Sequence, residues 1–268
     1  MTRREHRQNT IFAMPFADRN QPYLRRGSNR RTFRCCDPGE NRLEICRRIG
    51  GYDFVVGDHV MASAHARAKL ARAAYRLNAR YPRLPALILM TDERRLPDPV
   101  AAVRTLPKGA AVILRHTDTN ARAALAQSLS PVARSRGLLL LIANDAPLAA
   151  RLGCAGVHLS ELHAHEAAHL KALHPSWFIT VAAHSARAVA RAKLCKADAV
   201  LLAAPFPTES HIGRAALGAA RFRFLARSAS VPLYALGGVN AQNVSAVACA
   251  HVAGIAAIEA LLPIKARN

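Results

Sequence analysis

No run of about 18 uninterrupted apolar residues occurs in this chain, so no transmembrane helix and no membrane partner is indicated. The first twenty residues are basic but hold no sustained apolar segment, which argues against a secretory signal. Glu5 and Asp18 argue against an Arg-rich transit peptide. Cysteine is sparse, and none of Cys35, Cys36, Cys46, Cys154, Cys195 and Cys249 form a C-x-x-C pair. This is free-thiol usage rather than a disulfide framework, and it predicts a reducing, cytoplasmic setting. Aromatic residues make up only 5% of the chain, whereas 51% of residues are apolar. The core must therefore come from small aliphatic side chains, and the abundant Ala suits close packing of helices on a sheet. Acidic residues are scarce too, 17 against 38 Lys and Arg, for a formal charge of +21. That excess raises nucleic acid as a partner. No RNA-binding fingerprint, aromatic-interleaved basic run or zinc finger accompanies it, and nucleic acid is not the expected partner. Solvated Arg-rich helix faces are the main account of the charge, and an anionic, phosphorylated ligand fits the remainder as well as nucleic acid does.

Residues 1–60 differ from the rest of the chain. Leu24–Arg42 is polar, Arg-rich and full of turn formers, and no helical or alternating pattern lasts ten residues. The stretch reads as a disordered basic extension, or as upstream sequence that is never translated if Met61 is the start. From Met61 the chain reads as a leader helix, about Ala62–Asn78, followed by a first strand.

Beyond Leu84, apolar β-type runs alternate with Ala-rich amphipathic segments. The runs are Ala86–Met90, Ala111–Leu114, Leu138–Ile142, Gly156–Leu159, Phe178–Ala182, Ala199–Leu202, Leu233–Leu236 and Gly254–Ile258. Helices are expected over Thr119–Leu129, Pro147–Leu152, Glu161–Leu173, Ala186–Lys196 and Leu217–Ala226, and a helix-like segment over Ala241–Ala250. Continuous apolar strands imply burial on both faces. Eight of them alternating with helices predict an α/β fold, a (β/α)₈ TIM barrel over residues 61–268, with a doubly wound open sheet as the alternative. In a barrel the site lies where the strands end. Here those ends are polar: Thr91-Asp92, Arg115-His116, Asn144-Asp145, His158 to Glu161, His184-Ser185, Pro205 to Ser210, Gly237-Gly238 and Glu259. Gly237-Gly238 follows a strand, and such a pair lets bare backbone N–H groups approach an anion.

Four of these stretches carry more information in their order than singly. They are ALILMTD (Ala86–Asp92), NDAPLAARLGCAGVHLSE (Asn144–Glu161), AHSARAVARAKLCKADAVLLAAPFPTES (Ala183–Ser210) and VPLYALGGVNAQNV (Val231–Val244). Together they resemble the thiamine phosphate synthase/TenI family over about residues 84–262. The resemblance implies an enzyme of thiamine biosynthesis. One activity is a Mg²⁺-assisted transferase reaction that couples a thiazole phosphate to an aminopyrimidine diphosphate. The other is a TenI-type tautomerase reaction on a thiazole carboxylate phosphate. It implies that Asn144 contacts the pyrimidine and that Asp145 is a Mg²⁺ carboxylate. Gly237, Gly238 and the backbone at Ile258 and Glu259 would cradle the thiazole phosphate. Thr208 and Ser210 match substrate-binding hydroxyls. Arg115, which follows the second strand, is a candidate anion-binding substrate contact, with a surface ion pair as the alternative. His184 matches the proton-transfer histidine of the tautomerase, a role that imidazole suits near neutral pH.

The chain departs from that pattern in several places. The family's strand-two Q-L-R-E-K stands here as Ile113-Leu114-Arg115-His116-Thr117. The second metal carboxylate aligns near His163, the Lys after the F-P-T-x-T loop with His211, and a family Ser with Glu259. A carboxylate beside a phosphate is unfavourable unless it points away. Synthase, tautomerase and a non-catalytic phosphate-ligand-binding barrel therefore all stay open, with a basic nucleic-acid-binding protein as a weaker reading. Homo-oligomer formation is also left open. One further motif, His165-Glu166-Ala167-Ala168-His169, has the H-E-x-x-H spacing of zinc proteases. No third-ligand pattern follows it, and the barrel register places it on an outer helix.

Overall fold

The computed structural model describes residues 23–26, 32–36, 43–49, 52–56, 58–208 and 215–262. The chain divides into two compact units, Met1–His65 with Ile264–Asn268, and Ala66–Pro263. The described part of the first unit holds four strands: β1 (Tyr23–Arg26), β2 (Thr32–Cys36), β3 (Leu43–Ile49) and β4 (Tyr52–Val56). They pair antiparallel in sequence order. The sequence pattern predicts no regular structure here. No strand exceeds seven residues, so no alternation is long enough to stand out. The separation of β3 from β4 by Gly50-Gly51 alone is a hairpin-type signal.

Helix α1 (Asp58–Asn78) ends at the expected residue. Its Leu70 and Ala74 are buried, and Asn78 Nδ2 donates to the carbonyls of Leu84 (3.1 Å) and Ala253 (2.7 Å). Eight parallel strands follow: β5 (Leu87–Met90), β6 (Ala111–Leu114), β7 (Leu139–Ala143), β8 (Gly156–Leu159), β9 (Phe178–Ala183), β10 (Ala199–Ala203), β11 (Leu233–Leu236) and β12 (Val252–Ala257). Their boundaries lie within two residues of those expected. The pairing of β12 with β5, Ile255↔Leu87 to Ala257↔Leu89, closes the barrel and removes the open-sheet alternative.

Alternation along each strand separates two apolar layers. Ile88, Met90, Ile113, Leu141, Leu201 and Tyr234 fill the barrel interior. Leu87, Leu89, Val112, Leu114, Leu140 and Ile142 face the helices. Tyr234 is fully buried, and its hydroxyl donates to the Pro85 carbonyl at 2.7 Å.

The outer helices are α2 (Pro99–Val103), α3 (Thr119–Ser135), α4 (Ala146–Arg151), α5 (Ala167–Leu173), α6 (Ala186–Leu194) and α7 (Ala219–Ser228). Asp98, Asp118, Asp145 and Ser185 cap α2, α3, α4 and α6, each side chain accepting from an amide three residues on. Because these helices start where strands end, capping residues and mouth residues are partly the same ones. The helix-like segment expected over Ala241–Ala250 is instead a short 3-10 turn, Val244–Val247. Asn240 Oδ1 accepts from the N–H of Gln242 (2.9 Å) and Asn243 (3.2 Å), a local side-chain bond that competes with helix formation. Gly237-Gly238 therefore has no helix N-terminus behind it.

Candidate active site at the barrel mouth

Register brings the strand ends together. Met90 lies beside Ile113, Leu114 beside Ile142, Ala143 beside His158, Leu159 beside Val181, Leu202 beside Ala183, and Ala203 beside Leu236. The polar residues following each pair thus line one rim. The buried Thr91 ties the first two ends: its hydroxyl donates to the Arg115 carbonyl (3.1 Å) and accepts from the Arg115 N–H (2.9 Å).

After β11, Gly237 has φ +100° and Gly238 φ +67°. A Cβ on Gly238 would lie 2.4 Å from the Pro207 carbonyl oxygen and 2.7 Å from Phe206 Cβ. A Cβ on Gly237 would meet Ala204 Cβ at 2.7 Å and Thr208 Cγ2 at 3.4 Å. The two glycines are thus needed for the turn to lie against the loop after β10, which sets Thr208 beside Gly237. Ser210 lies outside the described residues. Replacing Gly238 by Ala is expected to push the 206–208 loop away and to weaken inorganic phosphate binding about tenfold, or about 1.4 kcal/mol. Calorimetric titration checks this, and unchanged affinity would show that the turn does not shape an anion site. Ile258 is buried at the end of β12, whereas Glu259 is exposed and its Oε1 faces Arg95 Nε at 3.9 Å. Pairing with Arg95 draws the Glu259 carboxylate charge toward the first barrel strand.

Arg95 also bonds Asp92, Nη2 to Oδ2 at 3.1 Å, and Asp92 Oδ1 accepts from the N–H groups of Arg94 and Arg95. Burial raises the Asp92 pKa, but the Arg95 bonds and charge outweigh it and hold the carboxyl below its ordinary value. Arg115 is half exposed, with Nη1 3.7 Å from Asp92. Glu93 accepts from both the backbone N–H and the hydroxyl of Thr117, bonds that lower its pKa. His116 Nδ1 is buried without a hydrogen bond and lies 3.3 Å from Glu93 Oε1.

Asn144 takes φ +49°, and its Oδ1 accepts from the Ser160 N–H at 2.8 Å. It holds the ends of β7 and β8 together. Asp145 spends both oxygens on the protein. Oδ1 accepts from Leu148 N–H (3.0 Å), and Oδ2 accepts from Arg122 Nη2 (2.9 Å) and Nε (3.3 Å). His163, where the resemblance has a second metal carboxylate, has Nδ1 2.7 Å from the Ser160 hydroxyl. Mg²⁺ takes carboxylate oxygens in octahedral geometry. One carboxylate already bonded to a guanidinium does not fit it. Among the described residues, no group of three His, Cys, Asp or Glu side chains is placed to hold a metal ion. This includes His165 and His169, which sit on the 3-10 turn Leu162–Glu166 and on α5.

His158 points into the barrel interior, where its Nδ1 lies 2.9 Å from the Thr180 hydroxyl. Burial, and then the charge of Arg115, push its pKa down to about 4, so the ring is neutral. His184, after β9, has Nδ1 3.0 Å from Glu161 Oε2, and its backbone N–H donates to the same oxygen at 3.2 Å. Both side chains are more than a third exposed.

Asn144, Asp145, His184, Thr208, Gly237, Gly238, Ile258, Glu259 and Arg115 all lie on this rim. Sequence reasoning did not pair Glu161 with His184, Arg122 with Asp145 or Thr180 with His158, although Thr91 and Glu161 stood among the polar strand ends. Arg122 lies within a helix and Thr180 within a strand, where a single polar residue carries no motif. Glu161 did stand at a strand end, and that placement was the available signal.

The family model for thiamine monophosphate synthase matches residues 87–261. The thiamine-phosphate synthase of Nostoc sp. (strain PCC 7120) is 29% identical over 180 residues, covering 66% of this chain and 50% of that protein. The thiamine-phosphate synthase of Chlorobium luteolum is 31% identical over 184 residues, covering 67% of this chain and 86% of that protein. This chain thus spans half the length of the Nostoc relative. The thiamine phosphate pyrophosphorylase structure from Pyrococcus furiosus superposes with a TM-score of 0.53 at 23% identity, covering 72% of this chain and 87% of that one, a likeness of fold. The match runs from the first barrel strand to the turn after the eighth and takes in the whole rim described above, and the chain belongs to the thiamine monophosphate synthase family.

Proposed function

We propose that this chain binds a thiazole phosphate in the barrel mouth and shifts a proton on its ring, with His184 as the catalytic group. The observation that supports this most is the Glu161–His184 pair. A carboxylate at Nδ1 favours the tautomer with the proton on Nδ1 and the lone pair on Nε2. In this reading Nε2 removes a proton from one position of the thiazole carboxylate phosphate and returns it at another, and Glu161 stabilises the imidazolium formed in between. The Gly237-Gly238 turn and the backbone at Ile258 and Glu259 take the phosphate, with Thr208 beside it and Ser210 as the further substrate-binding hydroxyl that the resemblance implies. Arg115 and Asn144 contact the rest of the substrate. The reaction belongs to the barrel, residues 61–268, in a cytoplasmic setting, with residues 1–60 as an extension outside it. No helix among the described residues is long and apolar enough to cross a membrane.

Coupling to an aminopyrimidine diphosphate is the second reading, favoured by relatives named thiamine-phosphate synthase. There a C–N bond forms to the thiazole nitrogen as the C–O bond to the diphosphate breaks. Thr117 and His211 stand where the resemblance places lysines, so less positive charge meets the leaving group.

His184→Asn is expected to lower the isomerisation kcat by about 10²–10⁴ while leaving phosphate affinity unchanged. Turnover of the thiazole carboxylate phosphate, followed by NMR, is the measurement. Unchanged turnover in the variant rejects His184 as catalyst. Thiamine phosphate formed by the wild type from the two coupling substrates moves the assignment to the second reading. Saturable binding with neither reaction identifies a binder.

A further inference from the structure

We propose that Arg122 occupies, as a resident cation, the place beside Asp145 that a divalent metal ion would take, and that this chain binds no divalent cation at Asp145. Arg122 comes from α3, one element away from Asp145, and its three guanidinium nitrogens are committed. Nε and Nη2 bond Asp145 Oδ2, and Nη1 donates to the His116 carbonyl at 3.0 Å. The two side chains are only 15% and 17% exposed, so little water screens the pair. The other Asp145 oxygen caps α4. A metal ion bound to Asp145 would displace Arg122 from both contacts and stand next to its charge.

Among the described residues, no neighbouring carboxylate offers an alternative. Glu161 holds His184, Asp92 holds Arg95 and faces Arg115, and Glu93 holds Thr117. His163 stands where a second metal carboxylate would be, and an imidazole suits Mg²⁺ poorly. A guanidinium is always charged and cannot be removed by chelation. It therefore stabilises the carboxylate and links the ends of β6 and β7 without a metal ion. The proposal rests on the family reading only for the choice of carboxylate. Its readout is metal binding rather than turnover, so its failure is distinguishable from failure of the proposed reaction.

The test uses Mn²⁺ alone as the probe, with free Mn²⁺ followed by electron paramagnetic resonance. Wild-type full chain is expected to show no saturable site up to about 1 mM. Arg122→Gln should bind Mn²⁺ at least about tenfold more tightly, and adding Asp145→Asn to it should abolish the gain. Asn caps a helix as well as Asp does, so the fold is kept, and circular dichroism verifies this. A wild-type Mn²⁺ site lost in Asp145→Asn overturns the proposal, as does an Arg122→Gln variant that gains no site. Wild-type Mn²⁺ binding that survives Asp145→Asn lies elsewhere and, if the Arg122→Gln gain is seen, upholds it.

Discussion

Gly156→Ala is expected to cost about 4 kcal/mol of stability, the largest loss from adding a single methyl group to this barrel. Gly156 opens β8 with φ +155° and pairs with Phe178 of β9. A Cβ there would lie 2.2 Å from the Phe178 carbonyl oxygen, 2.8 Å from its nitrogen and 2.9 Å from its carbonyl carbon. All three atoms are backbone, so no rotamer change relieves the overlap. The ladder must open or the strand must shift in a packed barrel. Backbone strain of about 1–3 kcal/mol adds to overpacking of about 1–3 kcal/mol. Against a typical total of about 5–15 kcal/mol, that loss is large. Melting should fall by about 10 °C or more, at about 2–4 °C per kcal/mol for a chain of this size. A wild-type melting temperature would mean that β8 and β9 separate freely at this point.

Acidification from pH 6.5 to 4 is expected to remove about 3 kcal/mol of stability through His158 alone. Its pKa falls from 6.5 to about 4 on folding because the neutral ring is buried on Thr180. Between these values the unfolded chain binds a proton that the folded one does not, so stability drops as pH falls through the window. A pKa difference of one between the folded and unfolded chain is worth about 1.4 kcal/mol. The stabilisation is fully present above 6.5 and gone below about 4. Asp92 and Glu93 have lowered carboxyl pKa values, so their contributions begin to fade near the ordinary values of 3.8 and 4.5 and are lost as pH falls further. Urea unfolding at pH 7 and at 4.5 measures the slope. His158→Gln should be less stable at pH 7 yet much flatter across the window. An equal slope in that variant would place the acid sensitivity elsewhere.

The eight strands were legible because each is a short apolar run buried on both faces, bounded by turn formers. Ala111–Leu114, Gly156–Leu159 and Leu233–Leu236 are recovered to the residue. The segment after Gly237-Gly238 was not, because Asn240 and Asn243 bond the local backbone and leave only a 3-10 turn. Strands β1 to β4 carry no readable period because none exceeds seven residues. In the site, residues at strand ends could be found by counting strands. Glu161 at His184 and Arg122 at Asp145 are partners 23 residues apart in each case, and no local pattern encodes such a pairing.

What the sequence determined by itself is the order of strands and helices and the ring of polar residues that ends each strand. Hydrophobic periodicity and turn chemistry are local and can be read along the chain. The Gly-Gly turn after β11 was visible in the same way. Only the tertiary structure decided what that rim is made of chemically. Closure through β12 and β5 brings Glu259 to Arg95 and so turns its carboxylate charge toward a cation. Packing of α3 against β7 sets a guanidinium on Asp145. Adjacency of β8 and β9 sets a carboxylate on His184. Each is a contact between elements distant in sequence, formed only once the barrel is closed and its helices are packed.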